Sequence, residues 1–252
     1  MVDIVLGILF FLYGIVIGSF LNVLILRIPI KESVTLKRSH CMSCGHVLSW
    51  YELFPLFSYL FLGGKCRHCK AHISVQYPIV EAINGVLYII LFLVHGLTIE
   101  TFLYCLTVSA LLALSVIDMR TQEIPVGFNV FILFIGLIRL LTDLGNWSNY
   151  VIGLFAVSGF LFVLFLITKG RGIGFGDIKL MAATGLLLGW QLNIIAFLIG
   201  CILGSIIHLT LMAVKKAGHV LSFGPYLSMG VFIAMIYGEQ LVSWYLSMWA
   251  TF

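Results

Sequence analysis

DIVLGILFFLYGIVIGSFLNVLILRIP, residues 3–29, keeps its charges at its two ends, Asp3 and Arg27. Between them lie apolar, aromatic and small residues, apart from Ser19 and Asn22. About 20 such residues cross the hydrocarbon core of a bilayer as a helix. Lipid offers backbone N–H and C=O groups no partner, so a spanning segment must satisfy them internally, and a helix does so. The stretch differs from an ordinary signal peptide: an acid stands near its start, and it has no basic n-region and no clear small-residue cleavage site. It is expected to remain as a span.

The same pattern recurs along the chain. Of its 252 residues, 62% are hydrophobic and 10% charged, and the mean hydropathy is +1.14. No soluble globular domain has this composition. The expectation is an all-α polytopic membrane protein of about eight transmembrane helices, at roughly 4–26, 78–95, 98–117, 126–142, 150–168, 178–190, 192–213 and 225–248. The sixth is short for a full crossing. Residues 27–77 form the one long polar stretch and are expected to be a small cytoplasmic domain. The domain expectation is therefore 1–26 as first transmembrane helix, 27–77 as the cysteine domain, and 78–252 as the remaining membrane domain.

Orientation follows from the basic residues, which accumulate on the cytoplasmic side. With 27–77 in the cytoplasm, Lys31, Lys37, Arg38, Lys65, Arg67 and Lys70 lie there. So do Arg120, Lys169, Arg171, Lys179, Lys215 and Lys216, while Arg139 alone of the basic residues falls on the other side, with Asp3, Glu100, Asp143 and Glu239. The net charge of +4 is thus an orientation signal, helped by anionic lipid headgroups, and calls for no nucleic acid. The expected location is the cytoplasmic (inner) membrane, and the sequence sets no oligomeric state.

Inside the polar stretch, CMSCGHVLSWYELFPLFSYLFLGGKCRHC holds Cys41, Cys44, Cys66 and Cys69. Two Cys-x-x-Cys knuckles about twenty residues apart are a zinc signature, because each gives two thiolates to one tetrahedral ion. Two disulfides or a redox pair are the alternatives. Cytoplasmic placement argues against stable disulfides, and a redox pair needs no second copy. A closed four-thiolate shell makes the zinc structural. His40, His46, His68 and His72 crowd the same box, as surface or supporting residues. Cys105 and Cys201 stand alone in apolar spans as small hydrophobes.

Two acids lie at span ends on the same side of this topology: Asp118 in SVIDMRTQEIP and Asp177 in GFGDIK. Each has a plain structural alternative. Asp177 can cap the helix that follows it, and Asp118 can pair with Arg120. Acids at membrane depth are nevertheless functional candidates, and Gly172, Gly174 and Gly176 allow close backbone approach. If the two acids meet, they share a proton, and one acts as base on water while the other protonates a carbonyl. That is aspartic protease chemistry. Glu123 is read as a solvated boundary charge and Lys179 as a snorkelling side chain. Glu81 is expected to face the cysteine domain, pairing with a basic residue or receiving a cationic methyl donor or amine.

Five stretches in order give a resemblance: GSFLNVLILRIP (18–29), the box from Arg38 to Glu81, DMRTQEIP (118–125), GFGDIKL (174–180) and FGPYLSMG (223–230). Together the sequence resembles the type IV prepilin peptidases, bifunctional leader peptidase/N-methyltransferases that are aspartic proteases of the GxGD kind. It departs from many members at Glu52-Leu53-Phe54-Pro55, where they read Asp-Asn-Ile-Pro. The resemblance implies that Asp118 and Asp177 are the catalytic pair, with Gly174, Gly176, Lys179 and Glu81 as supporting residues. It implies a prepilin or pseudopilin substrate, cleaved after the glycine of a basic leader at the cytoplasmic face. The new N-terminus would then be methylated with S-adenosylmethionine as methyl donor. The rival expectations are a proton-coupled small-molecule transporter, a zinc-bearing assembly factor without catalysis, and a peptidase of this family that does not methylate.

Overall fold

The computed structural model describes residues 2–35, 38–215 and 222–250; Lys37 and Lys216, used above for orientation, lie outside the described residues. Among the described residues the protein is all-helical. The elements are α1 (Val2–Arg27), α2 (Phe57–Phe61), α3 (Gln76–His95), α4 (Ile99–Thr121), α5 (Val126–Thr142), α6 (Trp147–Ile167), α7 (Phe175–Leu188), α8 (Trp190–Lys215) and α9 (Gly224–Ala250). Each of the eight expected spans coincides with a helix. Six of these, α1, α3, α4, α6, α8 and α9, are long and apolar enough to cross a membrane, and the chain is a multi-pass membrane protein. The other two are shorter, 17 residues for α5 and 14 for α7. At about 1.5 Å per residue they fall short of the ~30 Å hydrocarbon core.

By internal packing the chain divides into two compact units, Met1–Ala113 and Leu114–Phe252, and the division falls inside α4. In the first unit α1 lies against α3. Close approach is made possible by Gly14 and Gly18, spaced as a small-xxx-small pair. A Cβ at Gly14 would stand 2.7 Å from the Gly85 Cα, and one at Gly18 2.7 Å from the Glu81 Cα. Polar side chains inside this packing pair with one another: Asn84 donates to the Gly14 carbonyl, Ser109 donates to Asn84 Oδ1, and Tyr88 shares a 2.9 Å hydrogen bond with Ser109. At the end of α1, Arg27 turns its guanidinium onto the carbonyls of Ser33 and Val34, both at 3.2 Å, and so shapes the entry to the cysteine segment.

In the second unit α7 is the inner helix. Asp177, Ile178, Leu180, Met181 and every residue from Ala183 to Leu188 are buried, with α5, α6 and α8 packed around it. At the crossing of α6 and α7, Gly153 and Gly185 leave no room for a side chain on either helix.

Candidate active site and metal centre

Asp118 and Asp177 both belong to the second unit, and both are buried, 4% and 8% exposed. Asp118 sits in the last turn of α4. A carboxylate there opposes the helix dipole, whose C-terminal end is already negative. The compensation comes from another helix. Gly224 is the first residue of α9, and its N–H donates to Asp118 Oδ2 at 3.0 Å. Ser222, just before α9, donates its hydroxyl to the Asp118 carbonyl at 3.1 Å. Pro225 follows at a helix start, where a missing N–H costs nothing. The chain segment FGPYLSMG therefore presents a helix N-terminus to an acid.

Asp177 is the third residue of α7, behind Gly174, the N-cap residue. Here the dipole favours a carboxylate, and the side chain turns back onto the Gly174 backbone, with the Asp118 charge within electrostatic reach. The two acids expected to act together thus lie within electrostatic reach of each other.

Glycine makes the approach possible at two points. A Cβ at Gly224 would lie 2.8 Å from Asp118 Oδ2 and 3.4 Å from Ile124 Cδ1. A Cβ at Gly176 would lie 3.0 Å from the Ile124 Cβ. Ile124 therefore stands against the start of both α7 and α9. Gly174 is open apart from Asp177, whose Oδ2 lies 3.0 Å from the position a Cβ would take. Lys179 points its ammonium over the Phe175 ring, 4.8 Å from the centroid, and is half-buried.

The sequence did not single out Asn129. It lies in the first turn of α5 at 4% exposure, and its amide donates to the Gly176 carbonyl at 3.4 Å. Its Oδ1 is buried without a hydrogen-bond partner among the described residues. Nothing in an apolar helix marks such a residue in advance. Gly224 did carry a signal, because Gly-Pro before an apolar run reads as a helix start.

In the first unit the four cysteines converge. Their sulfurs lie within 4.8 Å of one another, and Cys41 Sγ stands 3.8 Å from Cys69 Sγ. A tetrahedral ion with metal–sulfur bonds of ~2.3 Å holds its sulfurs about 3.8 Å apart, so the set fits a zinc-like ion. The two knuckles share one backbone plan. Residues His40 and Val47 bridge around the first, and Lys65 and His72 around the second. The Cys41 N–H donates to the His46 carbonyl, and the Cys66 N–H to the Ala71 carbonyl. Gly45 and Lys70, each following the second cysteine of its knuckle, both take positive φ, +72° and +60°. Backbone N–H groups of Cys44 and Ser43 push the Cys41 thiol down to about 6. The histidines stay outside the sulfur cluster. The His46 ring lies tilted against that of His68, 4.3 Å between centroids, and stands 3.6 Å from Glu52, whose carboxyl the Ser49 N–H holds below the usual range.

Glu81 does face the cysteine segment, but a backbone amide meets it there. Its Oε2 accepts the N–H of Leu56 at 2.8 Å, with Ser19 of α1 also in hydrogen-bonding contact. Leu56 takes φ +60°, so this bond holds an unfavourable backbone position.

Comparison with known proteins places the chain in a family. A family model described as the bacterial Peptidase A24 N-terminal domain matches residues 12–95, and one described as the type IV leader peptidase family matches residues 105–209. The chain is 35% identical to a prepilin leader peptidase/N-methyltransferase of Bacillus subtilis, over 94% of this chain and 97% of that protein. It is 34% identical to one of the same name from Pseudomonas aeruginosa, over 93% and 91%, and 32% identical to one from Aeromonas salmonicida, over 95% and 93%. No solved structure matches the chain. Identity over nearly the full length of both partners makes this chain a member of the type IV leader peptidase family.

Proposed function

We propose that this enzyme cleaves the basic leader from prepilins or pseudopilins after its terminal glycine, at the cytoplasmic face of the inner membrane, and then N-methylates the new N-terminus. The observation that carries the reading is the pair Asp118 and Asp177: two buried acids from different helices, in electrostatic reach of each other. Buried carboxyls this close cannot both ionise cheaply, so they hold one proton between them. The ionised member takes a proton from water as the water attacks the scissile carbonyl carbon. The protonated member gives its proton to the carbonyl oxygen. The resulting diol collapses, the C–N bond breaks, and the leaving amine takes a proton from the pair. Gly224 and Gly174 orient the carboxyls through the backbone, and Gly176 gives the loop room beside Ile124.

A prepilin's apolar helix can lie in lipid beside the spans while its leader stays in water. Acids at the cytoplasmic ends of helices meet the junction between the two. On this reading α5 and α7 also lie within the bilayer, completing eight spans, and both termini face outward. Residues 27–77 form the cytoplasmic domain, between the first helix at 1–26 and the peptidase domain at 78–252. Cys41, Cys44, Cys66 and Cys69 would hold a structural zinc there. S-adenosylmethionine would supply an electrophilic methyl group to the freed α-amine, its methyl–sulfur bond breaking to leave S-adenosylhomocysteine and the amine losing one proton. Methylation is assigned to the cysteine domain, and Glu81 supports it by fixing the Leu56 turn.

The test is co-expression with a prepilin, followed by intact mass and N-terminal sequencing. The wild-type enzyme should give a shortened, methylated product. Asp118→Asn or Asp177→Asn should leave the precursor whole, and cleavage by either variant would reject the assignment.

A further inference from the structure

The cysteine segment contains an apolar surface that neither the peptidase site nor the sulfur cluster uses. Within LFPLFSYLFL, residues 53–62, five large hydrophobic side chains stand open, from 41% at Leu53 to 86% at Phe61. They are arranged on one side. Phe57, Leu60 and Phe61 follow the i, i+3, i+4 spacing of a helix face, and the Phe54 ring stands 5.7 Å from Phe57 and extends the stripe. Tyr59 marks the opposite, inner side. Its hydroxyl donates to the Ile73 carbonyl at 3.5 Å, and a Cβ at Gly64 would meet that hydroxyl at 2.8 Å. A contiguous apolar stripe on a polar domain marks an interaction surface.

Its neighbours say what covers it. Inside the stripe lies Leu56, whose N–H is held by Glu81, five residues beyond the start of the apolar helix α3. That is about 7.5 Å of helix rise from the first residue of α3, so the stripe adjoins the end of that apolar helix. Exposed Lys65, Arg67 and Lys70 follow it, with no acid between Leu53 and Lys70. A groove of about 370 Å³ along the stripe is bounded by Tyr51, Glu52, Phe54, Phe57, Phe61 and Arg67, with the Arg67 guanidinium 5.3 Å over the Tyr51 ring and the Glu52 carboxylate, within its electrostatic reach, engaged by the Ser49 N–H and His46. Apolar side chains beside basic ones at headgroup depth are the features of an interfacial segment.

We infer that residues 53–62 lie in the headgroup region of the cytoplasmic leaflet, as an anchor that prefers anionic phospholipid and holds the four-cysteine cluster against the membrane. This goes beyond the peptidase reading and rests on the cytoplasmic placement of residues 27–77 proposed with it. The cluster's distance from the bilayer is then set by two attachments: the Glu81 bond at one side and the aromatic stripe at the other.

The experiment uses the full-length protein in vesicles of phosphatidylethanolamine and phosphatidylglycerol. A polarity-sensitive fluorescent amino acid replaces Phe61 in one sample and Met42, an exposed apolar residue off the stripe, in another. Lipids carrying a shallow quencher should dim position 61 about twofold or more relative to position 42, and aqueous iodide should do the reverse. Equal iodide access at both positions would overturn the proposal. So would protection that fades when protein is diluted in lipid, the sign of a second copy, or protection that appears only with prepilin present. Equal depth in purely zwitterionic vesicles would overturn the anionic preference. Phe57→Asp with Phe61→Asp should raise iodide access at a Leu60 label without abolishing leader cleavage; loss of cleavage with unchanged access would also overturn it.

Discussion

Asp118 ends a helix whose dipole repels it, and the N–H of Gly224 answers that repulsion. The arrangement makes a residue without any reactive group decisive. Gly224→Ala would put a methyl 2.8 Å from the Asp118 Oδ2, displacing the carboxyl from its donor. A misplacement of about 1 Å can cost ~100-fold in rate. We expect kcat for leader cleavage to fall by that order while the purified variant keeps its helical circular dichroism. Asn129→Ala removes the amide that ties the Gly176 carbonyl and should lower kcat about tenfold, the value of one buried hydrogen bond, with KM little changed. Asn129→Asp should restore none of the loss. At this scale the sequence disclosed residues whose chemistry is visible in their type: the two acids and the four thiols. It did not disclose partners made by folding. Glu81 was expected to meet a charge and meets the Leu56 amide, because the sequence cannot show a backbone N–H left over at a strained turn.

The helices are held by close backbone contact, and this is where the membrane setting matters. Lipid gives no hydrophobic drive for helix association, so small residues that admit near approach supply the packing. Gly18→Leu would force a side chain into the Glu81 Cα, 2.7 Å from where its Cβ must sit. Overpacking costs about 1–3 kcal/mol, and each kcal/mol lowers Tm by about 2–4 °C in a chain of this size. Thermal unfolding in detergent should show that loss, and Gly153→Leu at the α6–α7 crossing should show it too. The existence and order of the long helices were legible in runs of apolar sequence. Their ends were not. The expected break near 190–192 falls at Gly189, whose φ of +84° ends α7. The stripe at 53–62 was hidden for another reason: it lies inside a polar cysteine box and shows its one-sidedness only once folded.

For the molecule as a whole, the four thiols and the two acids occupy separate units, with the sulfur cluster inside Met1–Ala113 and the acid pair inside Leu114–Phe252. Structural zinc contributes directly to the folding of the domain that binds it. Chelation, or Cys44→Ser with Cys69→Ser, should therefore abolish methylation of processed substrate while leaving most leader cleavage intact, as mass spectrometry of the product would read. Equal loss of both activities in a folded protein would contradict the separation.

The central claim is that Asp118 and Asp177 act as one catalytic unit, and a double-mutant cycle tests it most directly. Leader cleavage rates should be measured for Asp118→Asn, Asp177→Asn and the double variant. Groups that work as a unit lose nearly everything with the first removal. Each single variant should fall by about 1,000-fold or more, and the double should be scarcely slower than either. Substantial cleavage by one single variant, or losses that multiply in the double, would contradict the account.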